Sequence, residues 1–298
     1  MTRRWRFTLV AAVIAVLSAA PILSSTTASA TPLSSTAASA VPAEPGAGLA
    51  SLWNSKGTQI HLFYVGTDGQ ISNWYGDGTK WDNAQIGVGE PAAVGTGLTA
   101  LWNPAGTQIN VFYVGTGGHI YNWIWNGTKW TNKVLGVGEP AALGAGSGEP
   151  AANARNLAAY WHPDGIEANV FYVGIDGDIH DWLWTGTKWE NSSPGMGEPT
   201  GLARGLAAFW NPDGKTANVF YMGADGQIYN WAWTSGTGWT NFALGKGEPA
   251  GQGTGMAALW NPDGKKANVF YVADKGQPYN APVSSWDLTG TKWTNGQL

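Results

Sequence analysis

The 298-residue sequence contains no cysteine and little charge. Without cysteine, disulfides, thiol chemistry and thiolate metal sites are excluded, so an exported protein with this sequence depends on packing for its stability. Charged residues make up 12% of the chain, and 16 basic residues against 20 acidic ones leave a formal net charge of −4. A surface with net negative charge disfavours nucleic acid and anionic membranes as partners.

The first 47 residues differ in composition from the rest. Basic residues at positions 3, 4 and 6 precede an uncharged, mostly apolar run at 7–23, and Ala-Ser-Ala follows at 28–30. This order of charge, apolar core and small residues predicts a signal peptide over residues 1–30 and a secreted protein, with no membrane insertion after signal removal. A membrane anchor is the alternative, because 17 uncharged residues are marginal for a span. Residues 31–47, rich in Ser, Thr, Ala and Pro, predict a flexible linker.

From residue 48 to residue 298, one block of about fifty residues is written five times. Its first tryptophan recurs at steps of 49, 59, 49 and 50 residues, as Trp53, Trp102, Trp161, Trp210 and Trp260. The long step contains GEPAA twice, ten residues apart, which indicates a duplication inside a loop. A module that cannot bury its own apolar face stacks against its neighbours, so we predict one body of five units. The predicted units are residues 48–96, 97–154, 155–203, 204–254 and 255–298.

Four short runs rich in β-branched and aromatic residues stand in each copy, and in the fourth copy they are LAAFW, ANVFYMG, QIYNWAW and GWTNFAL. Each has the length of a strand, and turn sequences such as Asn-Pro-Asp-Gly at 211–214 separate them. The pattern predicts an all-β fold, a five-bladed β-propeller with four antiparallel strands per blade and the first strand along the channel. A linear solenoid is disfavoured because neither end copy has a polar capping face. A ring of six or seven blades would need more sequence or assembly between chains.

The acidic residues of the repeats stand mostly in turns. Recurrent aspartates occupy Asp-Gly and Pro-Asp-Gly turns, and a glutamate recurs in the Gly-Glu-Pro segment, where ordering of the loop is favoured over ligand binding. Asp176, Asp178 and Asp181 are interpreted as a polar hairpin, because they lack a full set of calcium ligands. The four histidines occupy four different places in the block, so the repeat cannot bring them together. We predict no metal and no cofactor.

Catalysis requires one asymmetric pair of groups with different pKa values, and five nearly equal copies argue against it. We therefore predict that the protein is not an enzyme. The alternatives are an extracellular glycosidase or polysaccharide lyase, using a unique acid such as Asp178 or Glu167, and a propeller that binds proteins.

A polar amide beside an aromatic residue does recur. Alternation along a strand places neighbouring residues on opposite faces, so a pocket with both residue types would need two adjacent blades. Sugars require this mixture, because indole surfaces pack on their C–H faces and amides both donate to and accept from their hydroxyls. The other interpretation is an interblade core of tryptophans with asparagines bonded to the backbone. The predicted ligand-binding residues are Asn110, Asn169, Asn218 and Asn268 on the second strand, and Asn73, Asn122, Asn230, Trp74, Trp123, Trp182 and Trp231 on the third.

The run ANVFYVGxDGxIYNWxWxGTKW resembles the fungal fucose-specific lectin propellers and their bacterial relatives over essentially all of residues 48–298. The count of five copies is similar to that of the tachylectin type of five-bladed lectin. In the fucose binders an arginine on the second strand and a glutamate on the third clasp the sugar. The matching positions here are Asn218, Asn230 and their equivalents, so the resemblance implies carbohydrate binding without that charged clamp.

Together these features predict a secreted, multivalent lectin with similar sugar sites between blades. Its expected partners are glycans or glycoconjugates on cell surfaces, or polysaccharides. Asn280 is the expected equivalent of Asn230 in the fifth copy, which departs most from the block because APVSS is inserted before Trp286. The first copy has Gly76 where other copies have a second tryptophan. Sites formed by these copies are expected to be altered.

Overall fold

The computed structural model describes residues 41–44, 48–54, 56–143, 157–195, 197, 199–200, 205–251, 255–261, 263–274 and 282–297. The predicted signal peptide and most of the predicted linker lie outside the described residues. The regular structure of the described part consists of β-strands, and it includes no helix that could cross a membrane.

The described strands form five four-stranded sheets in which every neighbouring pair is antiparallel and the strands follow chain order. The predicted five-bladed β-propeller is thereby confirmed. In blade 4 each strand begins and ends within one residue of the expected run.

The strands have the following bounds. Blade 1 contains β1 (Leu49–Trp53), β2 (Ile60–Val65), β3 (Ile71–Gly76) and β4 (Trp81–Gln85). Blade 2 contains β5 (Leu98–Trp102), β6 (Ile109–Val114), β7 (Ile120–Trp125) and β8 (Trp130–Val134). Blade 3 contains β9 (Leu157–Trp161), β10 (Ala168–Val173), β11 (Ile179–Trp184) and β12 (Trp189–Ser192). Blade 4 contains β13 (Leu206–Trp210), β14 (Thr216–Met222), β15 (Ile228–Thr234) and β16 (Gly238–Ala243). Blade 5 contains β17 (Met256–Trp260), β18 (Lys266–Val272), β19 (Val283–Thr289) and β20 (Lys292–Gln297).

The first strands of consecutive blades contact one another from β1 through β17, which places them innermost, as expected. Each blade has a forward face toward the next blade and a backward face toward the preceding one. In blade 4, Phe220 on the forward face packs with Val269 of blade 5, and Val219 on the backward face packs with Phe171 of blade 3. We call each contact between consecutive blades a seam. Four seams join the blades in chain order, from blade 1 with blade 2 to blade 4 with blade 5, and one apolar cluster fills each of them.

The same aromatic contact recurs in all four seams. A phenylalanine on the second strand of one blade meets the edge of the fourth-strand tryptophan of the next, with ring centroids 5.6 to 5.8 Å apart. Edge-to-face pairs at this separation add to the stabilisation from buried area. The four pairs are Phe63 with Trp130, Phe112 with Trp189, Phe171 with Trp239 and Phe220 with Trp293.

The Gly-x-Gly-Glu-Pro segments complete each seam. A Cβ on Gly89 would lie 2.7 Å from Cζ2 of Trp123, so only glycine lets that indole of blade 2 pack on the segment. The hydroxyl of Tyr113 donates to the carbonyl of Glu90 and accepts from Nδ2 of Asn132. This arrangement repeats, and it fixes the segment through the glutamate backbone. The prediction that the segment is ordered by hydrogen bonds agrees with these contacts.

The forward face of blade 5 and the backward face of blade 1 do not form a fifth seam of this kind. No apolar cluster among the described residues joins them, and the contact between Phe270 and Trp81 that would correspond to the four aromatic pairs is absent. Val283 is 43% exposed, whereas the isoleucines at its position in the other blades are 1 to 2% exposed. Leu49 is 63% exposed, against 5 to 7% for the leucines at its position in blades 2 to 4. Two apolar end faces are therefore open.

Candidate functional site

The predicted site residues lie at the seams, on the opposite faces that alternation requires. Asn230 is directly across from Phe220 on the forward face of blade 4, and Trp231 is on the backward face. A pocket with both residue types would therefore be shared by two blades. The asparagines and tryptophans that meet at one seam come from consecutive blades.

These side chains have mostly interior positions. The indoles of Trp123, Trp182 and Trp231 are only 4 to 5% exposed, and Trp74 is half-buried. Six of the asparagines are buried and Asn268 is half-buried. Ligand contact by these residues stays a prediction.

The asparagines bond mainly to side chains of the same blade, and not to the backbone. Asn122 donates to Oδ1 of Asn110, and Asn230 donates to Oδ1 of Asn218, each at 2.9 Å. The amide of Asn73 contacts Nδ1 of His61 at 3.0 Å. In blades 3 and 5 the partner is a carboxylate, because Asn169 donates to Asp181 and Asn268 donates to Asp287.

A row of three tryptophans that were not among the predicted site residues lines three of the seams nearer to solvent. In blade 2, Trp102, Ile109, Trp125 and Trp130 are paired across the four strands, so their side chains share the backward face. The three indoles are half-buried over the buried Ile109. Blades 3 and 4 repeat the row, as Trp161, Trp184 and Trp189 over Ala168, and as Trp210, Trp233 and Trp239 over Ala217.

A signal for this row was present in the sequence. Trp102 and Trp130 border the turns that connect the strands, whereas Trp123 stands two residues further from the strand end than Trp125. Residues i and i+2 of a strand share a face, so distance from the turn separates the outer tryptophan from the inner one.

Unpartnered polar atoms accompany the tryptophan rows. Among the described residues, Nε1 of the first-strand tryptophan is buried without a hydrogen-bond partner in blades 2 to 5. On the facing forward walls, one side-chain oxygen is buried and unpartnered in each of blades 1 to 4. A buried polar atom without a partner is costly, and a hydroxylated ligand or water that reaches both would satisfy a donor and an acceptor together. The donors are Trp102, Trp161, Trp210 and Trp260, and the acceptors are Oδ1 of Asn73, Asn122, Asp181 and Asn230.

Two seams contain cavities of ligand size at this row, which we call notches. The notch between blades 1 and 2 has a volume of about 540 Å³, with Trp102, Trp125 and Trp130 on one side and His61 and Asn73 on the other. The notch between blades 3 and 4 has a volume of about 680 Å³ and includes Trp210 and Trp233. Small-molecule sites typically measure about 300 to 1,000 Å³.

The two notches differ in charge. Lys56 and His61 line the notch between blades 1 and 2, and burial lowers the pKa of His61. The notch between blades 3 and 4 includes Asp164, Glu167 and Asp213 with a single lysine. Similar geometry therefore presents different polar groups at different seams.

Blade 3 has the buried carboxyl of Asp181 at the position where blades 1, 2 and 4 have the amide of an asparagine. Burial raises the pKa of Asp181 to about 8, although Asn169 donates to its Oδ2. His162 contacts Oδ1 of Asn169 at 2.6 Å and Oε2 of Glu167 at 3.1 Å. This network extends from the buried Asp181 to the wall of the notch.

The tryptophan row is incomplete at both ends of the chain. In blade 5, Leu288 is paired with Ala267 where blade 4 has Trp233, and in blade 1 Gly76 occupies that place. Full rows thus occur at three seams. The expected equivalence of Asn280 to Asn230 needs correction, because Ser285 is paired with Phe270 in that position and Asn280 lies outside the described residues. The insertion displaces the register before Trp286.

The acidic hairpin of blade 3 is held by local bonds. Asp176 accepts from the backbone of Asp178 and contacts Nε2 of His180 at 2.9 Å. Within the described part of the chain, no three histidine or acidic side chains are grouped as metal ligands.

Comparisons with known proteins bear on the fold. No protein-family model and no curated protein matches the sequence. A lectin from Burkholderia pseudomallei superimposes with a TM-score of 0.69 at 17% identity, over 84% of this chain and 69% of that chain. A fungal lectin from Aleuria aurantia, a six-bladed β-propeller with a fucose recognition mode, superimposes with a TM-score of 0.59 at 23% identity, over 84% of this chain and 78% of that chain. The Aleuria aurantia lectin in complex with alpha-methyl-L-fucoside gives 0.60 at 20% identity, over the same shares. The chain thus has the β-propeller fold found in these lectins.

Proposed function

We propose that the protein is a secreted, non-catalytic lectin that binds sugars in the notches between blades. The observation that carries the proposal is the repeated combination, at one seam after another, of three half-buried indoles, an unpartnered indole N–H and an unpartnered side-chain oxygen. A pyranose offers C–H faces to the first and hydroxyls to the other two. The lectin fold of the similar structures supports it.

In this proposal a predicted asparagine belongs to the polar wall of the notch between blades 1 and 2, His162 and Glu167 belong to that of the notch between blades 3 and 4, and the inner tryptophans hold the blades together. Asn73 lines the notch between blades 1 and 2 with its free oxygen, while Trp123 packs on the glycines of the preceding blade. The outer tryptophans supply the surface on which the sugar lies. Alternation along the strands predicted sugar sites between blades, and the proposal keeps that position while it assigns the aromatic contacts to different tryptophans.

Repetition supplies the strength of binding. A shallow monosaccharide site with a Kd near 1 mM contributes about −4 kcal/mol. Three complete rows, presented together to a glycan-coated surface, gain roughly 10² to 10⁴ in avidity. Secretion through the predicted signal at 1–30 would bring the protein to cell-surface glycans or polysaccharides.

A glycosidase is the second candidate, because Glu167 and Asp213 line one notch. Asp213 accepts from the backbone N–H of Lys215 in its turn, and Glu167 contacts His162. Both carboxylates have structural partners, and the other notch with a full row has no acidic residue in its lining. Release of reducing sugar from a polysaccharide that stops on Glu167→Gln would favour the glycosidase over the lectin.

Replacement of the middle indole of each full row tests the proposal. We expect Trp125→Ala, Trp184→Ala and Trp233→Ala each to remove one sugar site, because the sugar loses the centre of its stacking surface. Isothermal titration with a bound glycan should show a stoichiometry lower by one for each change. Gly76 shows that a blade forms without an indole at this place.

Leu288→Ala is the matched control, since it alters the same position in an incomplete row. It should leave the stoichiometry unchanged. Full binding by the triple variant would rule out the tryptophan rows as the sugar-binding surface.

A further inference from the structure

The forward walls of the two notches have opposite charges at equivalent positions of the repeat. Lys56 of blade 1 stands where blade 3 has Asp164, since each comes three residues after the first-strand tryptophan. Gln59 likewise stands where blade 3 has Glu167. All four residues line their notches. Two differences within one block therefore make one wall basic and the other acidic.

The notch between blades 1 and 2 has three hydrogen-bond donors in its lining. The amide nitrogen of Asn73 lies 3.0 Å from Nδ1 of His61, and because an amide nitrogen can only donate, Nδ1 accepts. Burial lowers the pKa of His61, so the ring is neutral at neutral pH and its proton is on Nε2. The other two donors are Nζ of Lys56 and the unpartnered Nε1 of Trp102. An ionised carboxylate only accepts hydrogen bonds, and it fits such a lining.

The remaining charged residues near the two notches keep this difference. Among the described residues that line the notch between blades 1 and 2, Lys56 alone has a formal charge, because the histidine there is neutral. Blade 4 adds Asp213 and Lys215 to the lining of the other notch. An acid on the fourth strand is common to both forward walls, as Asp82 and Glu190, and lies outside both linings.

We propose that the notch between blades 1 and 2 binds an acidic sugar, a uronic acid, whose carboxylate accepts from Lys56 and His61. The sugar ring lies on the tryptophan row, and a hydroxyl donates to the unpartnered Oδ1 of Asn73, a side chain that is 5% exposed. The notch between blades 3 and 4 disfavours the same sugar, because Asp164 and Glu167 repel its carboxylate. This inference rests on the proposed function and adds a class of sugar to it.

Each notch can be measured alone in a chain that retains one full tryptophan row. The first chain, Trp184→Ala with Trp233→Ala, retains the row between blades 1 and 2. The second chain, Trp125→Ala with Trp184→Ala, retains the row between blades 3 and 4. The probes are methyl glucoside with methyl glucuronide, and methyl galactoside with methyl galacturonide. In each pair a carboxylate replaces the hydroxymethyl group of an unchanged ring, and isothermal titration gives the ratio of the two affinities.

We expect the first chain to bind the uronide of at least one pair about tenfold more tightly than the neutral glycoside, because hydrogen bonds to a charged group are stronger than neutral ones. This ratio should fall in about 1 M salt, which screens charges near the surface. The second chain should bind the same uronide more weakly than its neutral partner.

An exchange of residues between equivalent positions tests whether the wall sets the preference. Lys56→Asp with Gln59→Glu gives blade 1 the wall residues of blade 3, and should reverse the ratio in the first chain. Asp164→Lys with Glu167→Gln gives blade 3 those of blade 1, and should raise the ratio in the second chain. Lys292→Asp is the matched control, because it makes the change of Lys56→Asp at an exposed lysine of blade 5, and it should leave both ratios unchanged.

The failure of this inference and the failure of the proposed function give different results. Equal or tighter binding of the neutral glycosides by the first chain, or a preference for the uronide that survives the exchange in blade 1, would overturn the inference alone. Binding of none of the four glycosides by either chain would count against both.

Discussion

Phe220→Ala is expected to lower the free energy of unfolding by about 3 to 5 kcal/mol, the usual cost of deleting a buried phenylalanine. Phe220 is fully buried in the seam between blades 4 and 5, with its ring 5.6 Å from that of Trp293 and 5.2 Å from that of Phe209. Its removal leaves a cavity that both blades border. Chemical denaturation followed by tryptophan fluorescence measures the loss.

Phe270→Ala is the matched comparison, because it removes the same side chain from the same strand position one blade later. Phe270 is half-buried on an open face, so we expect a cost of about 1 kcal/mol or less in dilute solution, as for other surface changes. Equal costs for the two variants would show that blade 5 packs on blade 1 as the internal blades pack on one another, and would contradict the open arrangement.

Asp181→Asn is expected to stabilise the protein in a pH-dependent manner. The carboxyl is buried, and its pKa is about 8 in the folded protein against an ordinary value of 3.8. Between these values the unfolded chain has released the proton that the folded chain still holds, so rising pH favours unfolding. The penalty is absent below about pH 4, grows through this window and is complete above about pH 8.

Each pKa unit corresponds to about 1.4 kcal/mol, so the gain from Asp181→Asn has an upper limit of about 5 kcal/mol at pH 8 and is close to zero at pH 4. Blades 1, 2 and 4 have asparagine at this position, which shows that the amide fits. Asn122→Asp in blade 2 is the reverse control and should destabilise at pH 8. Free energies of unfolding at several pH values measure both effects. A gain that does not change with pH would contradict the raised pKa of the buried Asp181 carboxyl.

The sequence predicted the architecture well because every level of it repeats. Strand-length runs and turn residues recur at fixed offsets, so the strand bounds, the five blades and the alternation of Asn230 and Trp231 between faces all followed from local pattern. Alternation alone did not decide between Trp123 and Trp125, since both share one face. Their different distances from the turn could have separated the buried indole from the one in the notch, but the depth of each within the seam required the packed structure.

Other features depend on contacts that a single blade does not contain. The closure of a ring depends on the rotation angle between consecutive blades. That angle depends on contacts between blades, so it could not be predicted from the sequence pattern of one blade. The absence of polar caps served only to disfavour a linear solenoid, and the exposure of the end faces required the packed structure. The register of blade 5 was misplaced because the insertion before Trp286 offered Asn280 as a false equivalent of Asn230.

Sugar binding in the tryptophan rows is tested by a glycan array probed with the full chain and with the triple variant Trp125→Ala, Trp184→Ala, Trp233→Ala. We expect the wild type to be retained by a related set of glycans and released by free sugar, and the triple variant not to be retained. An array on which the wild type binds no glycan, or on which the triple variant binds equally well, would contradict it.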